Sequence, residues 1–308
     1  MDIRRLPVSQ GWVWFRQAID LGARNPRAVL GAALLMIAAL YAAVLLMVLV
    51  LALLVGGVNA AGPGNGVGVG AMMAVALPLT ALVVLLVPIL LGGVMHVVRE
   101  TEAGRPSRAR DVFAPLRTPH GRRLAWLGVA QMVLTVIGGM LLMAIAGSDY
   151  WRDYLQAMQS AMQGATTTLP EPHHPGLLFL LQMGFNYFSY GLLLLAIPLM
   201  LFSGCHPGAA LVAALRALVR NAAPNMLAGV LFIGALLVGA LAAALGVALL
   251  ATLGSMLHPV VGVVVTMLAI LGFAAVVLVL VTGGAYLAWR DTFGEAPATL
   301  PSPHTFEA

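Results

Sequence analysis

Residues 28–98 contain no Asp, Glu, Lys or Arg. A helix crosses the hydrocarbon core with about 20 residues, so this run holds two crossings. Gly56-Gly57 and Gly62-Pro63-Gly64-Asn65-Gly66 interrupt it near its middle, and such residues predict a turn. Extended along the chain, the apolar pattern predicts spans near 28–55, 70–98, 124–146, 176–202, 226–253 and 259–288. The expected fold class is all-α, a polytopic transmembrane helical bundle of six spans. An even number of crossings puts both termini on one side.

Between the spans the pattern becomes amphipathic. Trp12, Phe15 and Ile19 form the predicted apolar face of a first short helix, and Arg16, Asp20 and Arg24 repeat every four residues on its polar face, where they can pair weakly. Leu211, Leu215 and Leu218 play the apolar part in a later segment that carries Arg216 and Arg220. Such segments suit the membrane interface. Asn25-Pro26 reads as the N-cap and first position of the first span. The stripe Trp151, Leu155, Met158 and Met162 predicts one more helix lying on the opposite surface.

The same unit recurs. Arg24, Arg122 and Arg220 are 98 residues apart twice, each just ahead of an odd-numbered span. Phe15, Phe113 and Leu211 stand nine residues before them. Gly92-Gly93 leads to Arg99-Glu100-Thr101 at the interval at which Gly283-Gly284 leads to Arg290-Asp291-Thr292. We therefore expect a single membrane domain of three parallel units, about 11–100, 108–204 and 207–293. Each is an amphipathic interfacial helix followed by two spans. Residues 294–308 would form a flexible cytoplasmic tail.

Composition sharpens this picture. The chain of 308 residues is 61% hydrophobic and 9% charged, against about 25% charged in soluble domains, so lipid is its expected solvent. All sixteen basic residues are arginine, and only Arg152 falls outside the clusters on the terminal side. By the positive-inside rule that side is the cytoplasm, and the expected location is the cell inner membrane. The net charge of +5 does not predict a nucleic-acid partner, because the arginines flank spans and form no continuous stripe. It predicts contact with the phospholipid bilayer, with Arg24, Arg27, Arg122, Arg123, Arg216 and Arg220 meeting anionic headgroups on the cytoplasmic face.

Candidate chemistry is sparse. The absence of lysine removes P-loop and Schiff-base mechanisms. The single cysteine, Cys205, can form no intrachain disulfide, and the length of the first apolar run leads us to expect a span there and not a cleavable leader. The Gly-rich stretch 62–70 reads as an outer turn, since no strand precedes it and no lysine follows it. His173-His174 with Met158 and Met162 could attract Cu(I), but the surface helix explains both methionines. His96, His206 and His258 read as capping or interfacial groups. Gln131, Gln182 and Asn186 are the polar groups inside the spans that could line a path, or simply join helices. No acid, base and nucleophile converge, so we expect neither an enzyme nor a bound cofactor or metal. Ala235, Gly239 and Ala243 repeat every four residues in the fifth span, which would place it in the interior or at a face for a second copy or a membrane partner.

Three motifs carry a resemblance. They are Gly11-Trp12-Val13-Trp14-Phe15 with Arg24-Asn25-Pro26, Leu215-Arg216-Ala217-Leu218-Val219-Arg220-Asn221 with Pro224, and Trp289-Arg290-Asp291-Thr292-Phe293-Gly294. Together the chain resembles a family of six-span inner-membrane proteins of Gram-negative bacteria that has no established activity. The expected function is a non-enzymatic envelope scaffold or accessory membrane subunit. The alternative is a permease or channel for a neutral or lipid-like solute.

Overall fold

The computed structural model describes residues 3–60, 69–162, 168 and 170–294. The glycine-rich turn at 62–66 and the tail beyond Gly294 lie outside the described residues, as does the side chain of Met162. The described chain folds as ten α-helices and one 3-10 helix, with no strand. The long helices are α2 (Pro26–Ala60), α3 (Val69–Glu102), α5 (Ala125–Ala146), α7 (Pro175–Leu201), α9 (Ala222–Leu257) and α10 (Pro259–Phe293). Each carries an apolar stretch long enough to cross a membrane, and the protein is a multi-pass helical bundle. The shorter helices are α1 (Gln10–Arg24), α4 (Pro119–Arg123), α6 (Ser148–Met162) and α8 (Pro207–Arg220), with the 3-10 helix at Ala109–Arg117.

Local chemistry sets the boundaries. Helices α2, α4, α7, α8 and α10 all open on a proline, which lacks only an N–H that the first turn leaves unbonded anyway. Asn25 Oδ1 accepts from Ala28 N–H at 3.3 Å, as its N-cap assignment requires. Thr118 Oγ1 accepts from Gly121 N–H at 3.0 Å and His258 Nδ1 from Val260 N–H at 3.2 Å. Gly56-Gly57 do not end α2, which runs on to Ala60. Two glycines cost about 2 kcal/mol of helix propensity, less than leaving their peptide groups unbonded in an apolar phase.

The core sits at the arginine-bearing ends of the helices. Trp14, Val29, Met95, Val112, Leu124, Leu199, Leu287 and Trp289 are all buried there. At the opposite ends Tyr41, Leu77, Val136, Leu180, Val238 and Leu268 are exposed. The three returning helices α3, α7 and α10 touch one another pairwise, and α2 and α5 pack outside them. Helix α1 lies against α9 and α10, the 3-10 helix against α2 and α3, and α8 against α7.

Two expectations are corrected. The segment before the third span is no amphipathic α-helix. Pro115 has no N–H to give, and Pro119 holds Thr118 extended at φ −109°, ψ 146°, so the chain makes a 3-10 helix and then the short α4. The apolar stripes of α1 and α8 are only partly buried, and the packed faces include other residues. Gly11, Trp14, Ala18 and Leu21 face the bundle from α1, while Trp12 and Ile19 are about half exposed. In α8 the buried side chains are Ala210, Ala214, Ala217 and Leu218, with Leu215 exposed. Small residues permit close backbone approach, so they take the inner face.

Second, α9 is peripheral and not interior. Added Cβ atoms at Gly229, Gly234 and Gly246 would meet nothing within 4 Å, and one at Gly239 would meet only the Phe273 ring. Among the described helices, α1 covers the start of α9 at Ala228, while none closes over Gly229, Gly234 or Gly246. On the opposite surface α6 forms, with Leu155 and Met158 exposed.

The N-terminal segment is tied into the base. Asn221, 1% exposed, accepts from Leu6 N–H at 2.9 Å and donates to Arg4 O at 2.9 Å. Arg4 N–H donates to Thr292 O at 2.9 Å. Asn221→Ala should therefore leave two backbone groups unpaired and cost about 1–3 kcal/mol. Hydrogen exchange at Leu6 should rise well above that of the wild type. Unchanged protection there would mean that the strap is held elsewhere.

Candidate functional site

The last two turns of α10 carry charge into the packed base. Tyr286 and Arg290 are one turn apart and face the end of α3. Tyr286 O–H donates to Glu102 Oε2 at 2.6 Å. Arg290 Nη1 forms an ion pair with Glu102 Oε1, its Nε donates to Asp291 Oδ1 at 2.8 Å, and its Nη2 donates to Gln17 Oε1 at 3.2 Å. Asp291 Oδ2 accepts from Gln10 Nε2 at 2.7 Å and from Trp14 Nε1 at 2.9 Å. One guanidinium thus joins α1, α3 and α10.

This arrangement solves a desolvation problem. The Arg290 and Glu102 side chains are each 22% exposed and Asp291 17%. Charges so far from water need partners. Two carboxylates flank one guanidinium, and the second negative charge is met by two neutral donors from α1. The clamp is also a register device, because Trp14 reaches Asp291 only when α1 lies across the end of α10. Beside it, Phe202 packs its ring 5.2 Å from Trp289, and the Arg99 guanidinium lies 4.6 Å from the Phe202 centroid.

A cavity of about 430 Å³ opens next to the clamp. Trp12, Val13, Arg16, Gln17, Asp20, Leu21 and Arg24 line it from α1, and Glu102, Leu287 and Arg290 line it from α3 and α10. Arg290 and Glu102 are engaged with each other. Arg16, Asp20 and Arg24 are exposed and form no ion pair or hydrogen bond among the described residues.

The six arginines expected at the headgroups are all exposed at the end of the bundle that holds the core. Only Arg24 also borders the cavity. The polar groups of the spans are not gathered into one cluster. Gln131 Nε2 donates to Ser189 Oγ at 2.8 Å between α5 and α7, while Gln182 Nε2 donates to Asn186 Oδ1 at 2.9 Å along α7. The His173 ring lies against Gly147. Among the described residues no three His, Cys, Asp or Glu side chains stand close enough to hold a metal ion.

The clamp residues Gln10, Trp14, Gln17, Glu102, Tyr286 and Asp291 were not anticipated as a group. Charges at span ends are read as topology signals, and that reading hides any structural pairing between them. The recurring Arg-acid-Thr after a Gly-Gly pair was the available signal. No known family model, curated protein or solved structure matches this chain.

Proposed function

We propose that this is a non-enzymatic inner-membrane protein with both termini in the cytoplasm, built as an envelope scaffold or accessory subunit. The observation that carries the reading is the confinement of the core to the arginine-bearing ends, where a polar clamp and the Asn221 strap tie α1, α3, α9 and α10 together. Such a base holds six spans while leaving their outer halves free to contact lipid or another membrane protein. The half-buried small-residue face of α9, with Ala235, Gly239 and Ala243, suits a second copy or a partner helix. The inner-membrane assignment, with its Gram-negative family resemblance, rests on the arginine bias and the interfacial motifs.

Three parallel units account for several recurring contacts. Asn25 Nδ2 reaches Ser107 Oγ at 3.5 Å, ahead of the 3-10 helix, as Asn221 reaches Arg4 and Leu6 ahead of α1. Gly93 faces Val112, Gly191 faces Leu218, and Gly283 faces Ala18. In each case a returning helix offers a glycine to the short helix of the next unit around a ring. The arginines Arg24, Arg122 and Arg220 follow those short segments and would sit together at headgroup depth.

Reporter fusions test the orientation. Fusions after Gly64 and Pro170 should read as periplasmic, and fusions after Pro106 and at the C-terminus as cytoplasmic. A cytoplasmic signal at Pro170 would overturn the six-span orientation. A permease for a neutral or lipid-like solute is the second reading, favoured by the polar side chains on α5 and α7. In a Cys205→Ser background, single cysteines at Gln131, Gln182 and Asn186 should resist a membrane-impermeant thiol reagent if the scaffold reading holds. Labelling of all three would favour a water-filled path.

A further inference from the structure

We infer that the cavity between α1 and the ends of α3 and α10 binds one phospholipid headgroup carrying both a phosphate and a primary ammonium, of the phosphoethanolamine class. This rests on the proposed orientation, with the arginine-bearing ends at headgroup depth. Its size, about 430 Å³, falls within the usual range of small-molecule sites. Its charges are arranged for a zwitterion. Arg16, Asp20 and Arg24 follow one another at single-turn intervals on the wall formed by α1.

At that spacing opposite charges normally pair along a helix. Here all three reach the cavity unpaired. The two guanidinium groups can take a phosphodiester through paired N–H donors. The carboxylate between them can accept N–H bonds from an ammonium two carbons away from the phosphate oxygen. Arg290 cannot compete for the phosphate, because Glu102, Asp291 and Gln17 already occupy its donors.

The apolar part of the lining points to a lipid and not a soluble ester. Trp12, which lines the cavity, is 50% exposed, and Ile19, 45% exposed, follows two turns further along α1. An indole with one wet and one apolar side belongs at headgroup level. Val13, Leu21 and Leu287 extend the apolar surface inward. A headgroup seated between Arg16, Asp20 and Arg24 could therefore run its glycerol and chains past Trp12 into the bilayer.

The test is lipid binding by the full chain in detergent, followed by native mass spectrometry during titration with phosphatidylethanolamine, phosphatidylglycerol or phosphatidylcholine. We expect one phosphatidylethanolamine to bind ahead of the other two. The glycerol headgroup has no ammonium, and the choline nitrogen has no N–H to give Asp20. Each of Arg16→Gln and Arg24→Gln should weaken it about fivefold. Asp20→Asn should keep phosphate binding and erase the preference over phosphatidylglycerol. All three side chains are exposed, and an unchanged melting temperature will verify that the variants fold.

Equal binding of the three lipids by the wild type, or unchanged phosphatidylethanolamine binding by Arg16→Gln/Arg24→Gln, would overturn the proposal. Soluble phosphoethanolamine binding as tightly as the lipid would overturn the lipid source. The variant Arg122→Gln/Arg123→Gln/Arg220→Gln reads the wider arginine ring separately. It should lose phosphatidylglycerol and keep the single phosphatidylethanolamine. If it keeps both while the cavity variants lose phosphatidylethanolamine, the ring contacts fail and the cavity site stands.

Discussion

Arg290→Met will destabilise the solubilised protein more than the double variant Glu102→Gln/Arg290→Met. The single change leaves Glu102 as a carboxylate that is only 22% exposed, with the Tyr286 hydroxyl as its remaining partner. Breaking a buried ion pair on one side costs about 3–5 kcal/mol, because the surviving charge loses its compensation. Partial exposure here argues for the lower end, about 3 kcal/mol. That should lower the melting temperature by on the order of 5 °C.

In the double variant the amide oxygen at position 102 still accepts from Tyr286, and no lone charge remains there. Asp291 keeps Gln10 and Trp14 as donors in both variants. The second substitution should therefore recover about 1–2 kcal/mol of the loss. Thermal unfolding in one detergent, followed by tryptophan fluorescence, makes the comparison directly, since Trp14 and Trp289 both lie in the base. A double variant as unstable as the single one, or more so, would show that Arg290 acts through packing and not through charge.

Gly93→Ala should be strongly destabilising although it adds a single methyl group. A Cβ at Gly93 would lie 1.8 Å from Val112 O and 2.6 Å from its carbonyl carbon. Both are backbone atoms, so no rotamer change can relieve the overlap. The 3-10 helix must move away from α3, and Val112, 0% exposed, must leave its place in the core. Overpacking typically costs 1–3 kcal/mol, and partial loss of the Val112 contacts brings the expected total to about 3–4 kcal/mol.

Gly139→Ala is the control. It adds the same methyl to α5, where nothing lies within 4 Å. Alanine is the better helix former by about 1 kcal/mol, so this variant should be neutral or slightly more stable. Folded yield and melting temperature of the two variants should differ in opposite directions from the wild type. Equal behaviour would mean that α3 does not approach the 3-10 helix this closely in the membrane.

Both results turn on contacts that the apolar pattern does not encode. In water a buried face can be read from periodicity, because only the hidden side needs to be apolar. In lipid both sides of a span are apolar, and the helical period says little about which side meets protein. That is why the small residues of the fifth span fit an interior position as well as a face for a second copy, and only the interior reading conflicts with α9 at the edge of the bundle. It is also why alanine and glycine share the packed faces of α1 and α8 with Trp14, Leu21 and Leu218.

The number of long apolar helices, the helix starts at Pro26 and Pro259, the capping by Asn25 and His258, and the gathering of arginines at one end of the bundle are all legible in the residue order. These depend on local chemistry: a missing N–H, a short acceptor side chain, the length needed to cross an apolar layer, and the cost of placing charge inside it. Helix packing alone brings Glu102 to Arg290 and Tyr286, sets Asn221 against the segment around Arg4 and Leu6, and gathers Arg16, Asp20 and Arg24 at one cavity. Those pairings join residues far apart in the chain. They follow from which helix ends come together in the base, where a backbone carbonyl or a carboxylate must find a donor because water is no longer there to supply one.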